Sequence, residues 1–279
     1  MIDSLAIVAG VGEYPVVMAK GAREAGVRHI TALAIRGAAE KRRLRPLVDE
    51  WVPVGLGELG SVRDWCAAHP HVALEFGGGI APTSLFTTRL DDLSRSLLAE
   101  IKVKNTHTIF GKICDVFEET GVRVLPASCF MDAAIPGAGV LTKRQPDARE
   151  QNDIALGSRI SLVVSAAEIG QVVVIKDGAI CAVEALEGTN VTIKRGAKLG
   201  GSGCVVFKGA RDGHDMRFDI PAFGMKTLAF LRKMRVSVFA FQAERMIFLD
   251  RDQVIPQADK WGISIVAVES GLESCRRQP

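Results

Sequence analysis

The first two dozen residues constrain the fold more than any other stretch. Residues 4–9, SLAIVA, form an apolar run after a single serine and read as a strand buried on both faces, the habit of parallel sheets. The run leads into Gly10-Val11-Gly12-Glu13-Tyr14-Pro15 and then into VVMAKGAREAG, whose apolar spacing is helical. A strand covered on both faces needs helices to cover it, so this opening predicts a doubly wound α/β domain. Gly10 and Gly12 would let backbone N–H groups approach a phosphate at the helix start, and Pro15 suits a first helical turn, where its missing donor costs nothing. A merely tight turn between strand and helix accounts for the two glycines equally well. A dinucleotide fingerprint would carry a third glycine where Pro15 stands and an acid at the end of the second strand, ITALAI, and has neither here.

The pattern repeats through HITALAI, EWVPVG, the helical GSVRDWCAA and HVALEFGGG, which predicts a Rossmann-like parallel sheet over residues 1–130. Gly77-Gly78-Gly79 follows the fourth strand at the end where open α/β sheets bind ligands, so Gly78 and Gly79 join Gly10 and Gly12 as candidate substrate contacts. LDDLSRSLLAEI and THTIFGKICDVFEETG read as helices. Over 131–147 the sequence gathers proline, glycine and a basic pair without a sustained period, which marks a linker. A second α/β domain is expected over 148–279, opening on a helix whose polar face, with Asp153 and Arg159, is expected in solvent.

Residues 172–224 hold the candidate chemistry. VVVIKDGAICAVEAL reads as a hairpin reversed at Asp177-Gly178, and its second strand runs into Glu184 and Glu187. Gly188-Thr189-Asn190 then opens a helix, VTIKRGAKL, and the strand CVVFKG delivers Lys208 to the loop ARDGHDMRFDIPAFG. If that loop is extended, Asp215, Arg217 and Asp219 share one face, because side chains alternate along a strand. Two carboxylates and a guanidinium suit a divalent cation beside a phosphate; a solvated loop with internal ion pairs is the plainer alternative. Four acids gathered without a cation would repel one another, so a metal or basic partners, with Arg195, Arg217, Lys194 and Lys208 at hand, are implied.

IKDGAICAVEALEGT and FKGARDGHDMRFDIPAFG, with the opening LAIVAGVGEYPVVMA, resemble the UDP-2,3-diacylglucosamine pyrophosphatase family of lipid A biosynthesis, the type with two α/β domains and not the calcineurin-like one. The resemblance implies Mg²⁺ (or Mn²⁺)-dependent hydrolysis of UDP-2,3-diacylglucosamine to UMP and 2,3-diacylglucosamine 1-phosphate, and a homodimer. Asp215, Asp219 and Glu187 are then the expected catalytic residues, with Asp215, Asp219 and Glu184 on the metal. Gly10, Gly12, Gly78, Gly79, Thr189, Arg195, Lys208 and Arg217 are expected on the substrate. Two positions depart from the family's pattern: Asn190 stands where an Asp usually follows Gly-Thr, and Ile80-Ala81-Pro82 lacks a basic residue, with Arg89 the nearest substitute. Two other readings remain open, a nicotinamide- or nucleotide-dependent oxidoreductase and a non-catalytic relative that binds a nucleotide sugar.

Composition removes other classes. A net charge of +3 and a single tyrosine give neither the basic surface nor the stacking aromatics of a nucleic-acid binder. Six cysteines scattered without CxxC spacing predict reduced thiols, and the start lacks the basic and apolar segments of a signal peptide. No uncharged run approaches the roughly 20 residues of a membrane span, so a cytoplasmic protein is expected, in peripheral contact at most with the inner membrane.

Overall fold

The computed structural model describes residues 2–79, 88–102, 106–209, 217 and 220–269. Two compact units result: Met1–Asp132 with Asp215–Ile220, and Ala133–His214 with Pro221–Pro279.

The first unit is the parallel sheet that the opening predicts. Its strands β1 (Ser4–Ala9), β2 (His29–Ile35), β3 (Glu50–Val54), β4 (Ala73–Gly77) and β5 (Arg123–Val124) lie in the order β3-β2-β1-β4-β5. Helices α1 (Tyr14–Glu24), α2 (Lys41–Leu44), α3 (Leu59–Ala68), α4 (Asp92–Glu100) and α5 (Thr106–Glu118) connect them. Alternate residues of β1 and β4, Ala6, Val8, Leu74 and Phe76, pack on Val62, Cys66, Ile113 and Phe117 of α3 and α5. On the opposite face α1 lies so close that a Cβ on Gly77 would stand 2.6 Å from the Met18 sulfur. The strand order reverses between β1 and β4, which puts the turns after these two strands side by side.

The second unit departs from a purely parallel sheet. Strands β6 (Gly139–Val140), β7 (Val172–Lys176), β8 (Ala179–Val183), β9 (Val205–Lys208), β11 (Val238–Gln242) and β13 (Ser264–Val268) are ordered β6-β13-β11-β9-β7-β8. Only β9, β11 and β13 are mutually parallel neighbours, while β6 and β7 run antiparallel to theirs. A small parallel pair, β10 (Ala222–Phe223) and β12 (Ile247–Phe248), completes the unit.

Helix α6 (Ala148–Ala166) covers one face through Ile154 against Val173, Val205 and Phe207. Asp147 starts it with a capping box to Glu150, whose buried carboxylate also takes both Arg144 Nη2 bonds, at 2.8 and 2.9 Å. Asp153 is not in solvent as its polar helix face suggested. It is buried and accepts from the Asp177 and Gly178 N–H groups at 3.0 and 2.7 Å. The hairpin turn needs those acceptors because Asp177 and Gly178 both take positive φ, 52° and 78°, and point their N–H groups at the helix beneath.

The other face carries α7 (Thr189–Gly200), α8 (Met225–Lys233) and α9 (Arg251–Trp261) around Ile193, Phe223, Leu228, Phe239 and Val254. Pro256 sits inside α9 without ending it. Among the described residues no helix is long and apolar enough to cross a membrane.

Candidate active site

In the first unit the glycine turns meet. The Gly10 N–H donates to the Gly77 carbonyl at 2.7 Å, and Val11 and Gly79 exchange N–H to carbonyl bonds at 3.1 and 3.0 Å. The donors of Gly10 and Gly79 are therefore engaged between the turns. Gly78 serves the same crossing: at φ 95° a Cβ would stand 2.7 Å from the Val11 carbonyl oxygen. Gly12, at φ 99°, and Gly79 open on free space, with no heavy atom within 4 Å of a Cβ position, but the Gly79 N–H is already engaged. What this switch point offers a ligand is the Gly12 end of the turn and the start of α1. Glu13, which stands there, pairs through one oxygen with Arg43.

In the second unit a cleft of about 370 Å³ opens among the ends of β8 and β9 and the start of α7. Gly188, at φ 81°, is the N-cap of α7, and no side chain caps the helix. The residues 188–191 line one wall. Phe223 and Thr227 bring the start of α8 to the same cleft, again with a glycine N-cap, Gly224, and no side-chain cap. Lys208 adds an ammonium group from the end of β9. Two uncapped helix starts and a lysine make a place for an anion, because first-turn N–H groups lack intrahelical partners and carry the positive end of the helix dipole. Thr227 escaped the sequence reading; its signal is a Gly-x-x-Thr start after a strand, too common to notice.

Glu184, expected on the metal, and Glu187, expected among the catalytic residues, are both engaged by protein donors. Glu184 accepts from the Gln171 N–H at 3.1 Å and from the Thr189 hydroxyl at 2.8 Å. Glu187 accepts from Arg195 at 2.5 Å, from Thr192 at 3.3 Å and from the Ala185 N–H at 3.2 Å. The Arg195 guanidinium, more than any other cause, holds the Glu187 carboxyl below the usual carboxylate range. A general base works best with a pKa near the working pH, so this environment suits shaping the cleft better than taking a proton. Thr189 and Arg195 are bound up with these two acids, and Lys208 is among the residues that line the cleft.

Arg217 donates to Glu118 of α5 at 2.8 Å, with Asp115 of the same helix 3.9 Å away. Its charge is thus met by two carboxylates of the first unit. Asp212, His214, Asp215 and Asp219, with the Ile80-Ala81-Pro82 departure and the tail 270–279, lie outside the described residues. Among the described residues no group of three or more His, Cys, Asp or Glu could hold a metal ion.

A parallel sheet with a glycine switch point, followed by a mixed sheet whose helix starts wall a cleft, defines a two-domain α/β protein. Family models carry the assignment further: that of the LpxI N-terminal domain matches residues 4–134 and that of the LpxI C-terminal domain matches residues 137–266. The chain belongs to the LpxI family, as its sequence resemblance implied. It is 25% identical over 282 residues to the UDP-2,3-diacylglucosamine pyrophosphatase LpxI of Caulobacter vibrioides, covering 95% of this chain and 97% of that one. A solved structure, the L-amino acid ligase from Bacillus licheniformis, covers 66% of this chain and 40% of its own at 13% identity, and its TM-score of 0.28 gives it no weight.

Proposed function

We propose that this chain hydrolyses the pyrophosphate bond of UDP-2,3-diacylglucosamine. Water bonds to one phosphorus as the bridging P–O bond breaks, giving UMP and 2,3-diacylglucosamine 1-phosphate with the release of two protons as both monoesters ionise. The observation that carries the reading is the cleft in the second unit, where two uncapped helix starts and Lys208 converge in a chain that matches its pyrophosphatase relative almost end to end. A pyrophosphate is the ligand such a site attracts most, since its oxygens take several N–H bonds and a cation at once.

In this reading Lys208 and Thr189 contact the phosphates, and a contact of Gly12 with the substrate rests on the family resemblance. Asp215 and Asp219 are the catalytic acids, a role that rests on their spacing and the family resemblance. The described carboxylates do not make a metal site, so Mg²⁺ dependence rests on these two aspartates alone, and Glu184 and Glu187 act by fixing the start of α7. We take the protein to work in the cytoplasm as a homodimer, which light scattering on the purified chain would test. The reaction is tested by incubating the chain with UDP-2,3-diacylglucosamine and following ³¹P signals: appearance of UMP and a sugar 1-phosphate is expected, and an intact pyrophosphate pair after prolonged incubation with Mg²⁺ or Mn²⁺ present overturns the reading.

A further inference from the structure

Exposed apolar side chains gather around α7. Leu186, in the turn that leads into it, is wholly exposed at 103%, and Val191 and Leu199 on the helix are 53% and 69% exposed. Helical spacing brings Val191, Lys194, Arg195, Lys198 and Leu199 to one side, at i, i+3, i+4, i+7 and i+8. The opposite side, Thr192, Ile193 and Gly196, is buried against β7, where a Cβ on Gly196 would stand 2.5 Å from that of Val174. Arg195 is held by Glu187 and the Val183 carbonyl, which leaves Lys194 and Lys198 as the cationic surplus of the exposed side. Ile169, itself 53% exposed, borders the same region, because Gly170 packs so tightly that a Cβ there would stand 2.2 Å from the Glu184 carbonyl oxygen.

Single exposed apolar residues need no explanation. A wholly exposed leucine beside two more apolar side chains and two ammonium groups does, since each element serves a different layer of one surface. The aliphatic groups suit the boundary of an acyl layer and the lysines suit anionic headgroups. A nucleic acid would use the lysines and leave the leucines in water.

We propose that the outward side of α7, with Leu186 at its entrance, docks the protein on an anionic lipid bilayer. The proposal deepens the reading above and rests on it in one respect, that the substrate is a diacylated lipid held in such a surface. Residues 188–191 of the same helix wall the cleft, so docking brings the cleft mouth to the headgroup layer, where a sugar 1-pyrophosphate anchored by two acyl chains would present itself.

The test is co-sedimentation of the full chain with vesicles of phosphatidylethanolamine and phosphatidylglycerol, against vesicles of phosphatidylcholine alone. The unaltered protein, Lys194→Glu/Lys198→Glu and Leu186→Ser/Leu199→Ser are compared at equal melting temperature; none of these four residues lines the cleft. The expected result is salt-sensitive binding to the anionic vesicles that falls at least about tenfold in each double variant, since one lysine near such a surface is worth roughly fivefold and one leucine withdrawn from an acyl boundary at least as much. Turnover of a short-acyl, water-soluble substrate should stay unchanged in both variants while turnover of vesicle-borne substrate falls with binding. Absent vesicle binding by the unaltered protein, or binding equal in all three, overturns the proposal. So does a change in mass by light scattering without a change in lipid binding, which would make the face a contact between copies. Vesicle binding lost in the variants, with no hydrolysis of any substrate by the unaltered protein, supports the docking surface and counts against the proposed reaction alone.

Discussion

Glu75 offers a test of the first unit's physics that needs no substrate. It sits in β4 with no exposed surface, and neither carboxylate oxygen has a hydrogen-bond partner among the described residues. Burial alone pushes its carboxyl from the ordinary 4.5 up to about 8, so it is protonated in the fold at neutral pH. The unfolded chain ionises the same group near 4.5. Between these values the folded state binds the extra proton, so stability is highest below the unfolded pKa and is lost as pH rises toward the folded one. The loss is about 1.4 kcal/mol per pH unit between the two values, hence roughly 3 kcal/mol by pH 7 and about 4 kcal/mol by pH 8, where the folded group is half ionised. Glu75→Gln keeps the shape and removes the titration. Its stability minus that of the unaltered protein should therefore climb with that slope from pH 4.5 to 8 and level off above. Trp51 and Trp65 report on this unit, so urea unfolding by tryptophan fluorescence in a Trp261→Phe background isolates it. A difference that stays flat across the window would show that Glu75 finds a partner or water in solution, and the argument from its burial would fall.

Asp153→Ala should destabilise the second unit by about 3 kcal/mol, because two hairpin N–H groups lose a buried charged acceptor; urea unfolding followed by Trp261 measures it. Lys208→Ala should raise KM for the nucleotide sugar about tenfold or more with the melting temperature unchanged, the effect of one charge-assisted bond lost from the cleft, and an unaltered KM would remove Lys208 from the substrate. Asp219→Ala should cost at least about a hundredfold in turnover without loss of folding, and excess chelator should abolish turnover that Mg²⁺ restores; full activity in either experiment would make the acidic loop a solvated one.

What the sequence made legible was whatever depends on near neighbours. The run SLAIVA followed by glycines and a helical period gave a parallel strand and its turn, and Asp177-Gly178 took the two positive φ angles that such a pair favours. Asp153 was misread because a helical period cannot distinguish a solvated polar side from one that accepts two N–H groups from a turn 24 residues on. Glu184 was read as a metal acid and Glu187 as a catalytic one because a sequence displays charges without their partners. The partners were close at hand, in Thr189, Thr192 and Arg195 of the next helix.

The cleft itself was beyond reach of the sequence for a topological reason. Gly188 and Thr227 are far apart along the chain, and they share a cavity only because the sheet orders β11-β9-β7-β8 and sends the helices after β8 and β10 to one face. The hairpin of β7 and β8 was legible, but the antiparallel pairing of β7 with β9 was hidden, since β7 is as apolar as the parallel strands β9, β11 and β13. An anion site built this way carries its positive potential on backbone dipoles, which leave no residue signature beyond a glycine that lets the turn form. Exchanging Lys208 therefore removes only part of the attraction, and Lys208→Ala should still bind the nucleotide sugar.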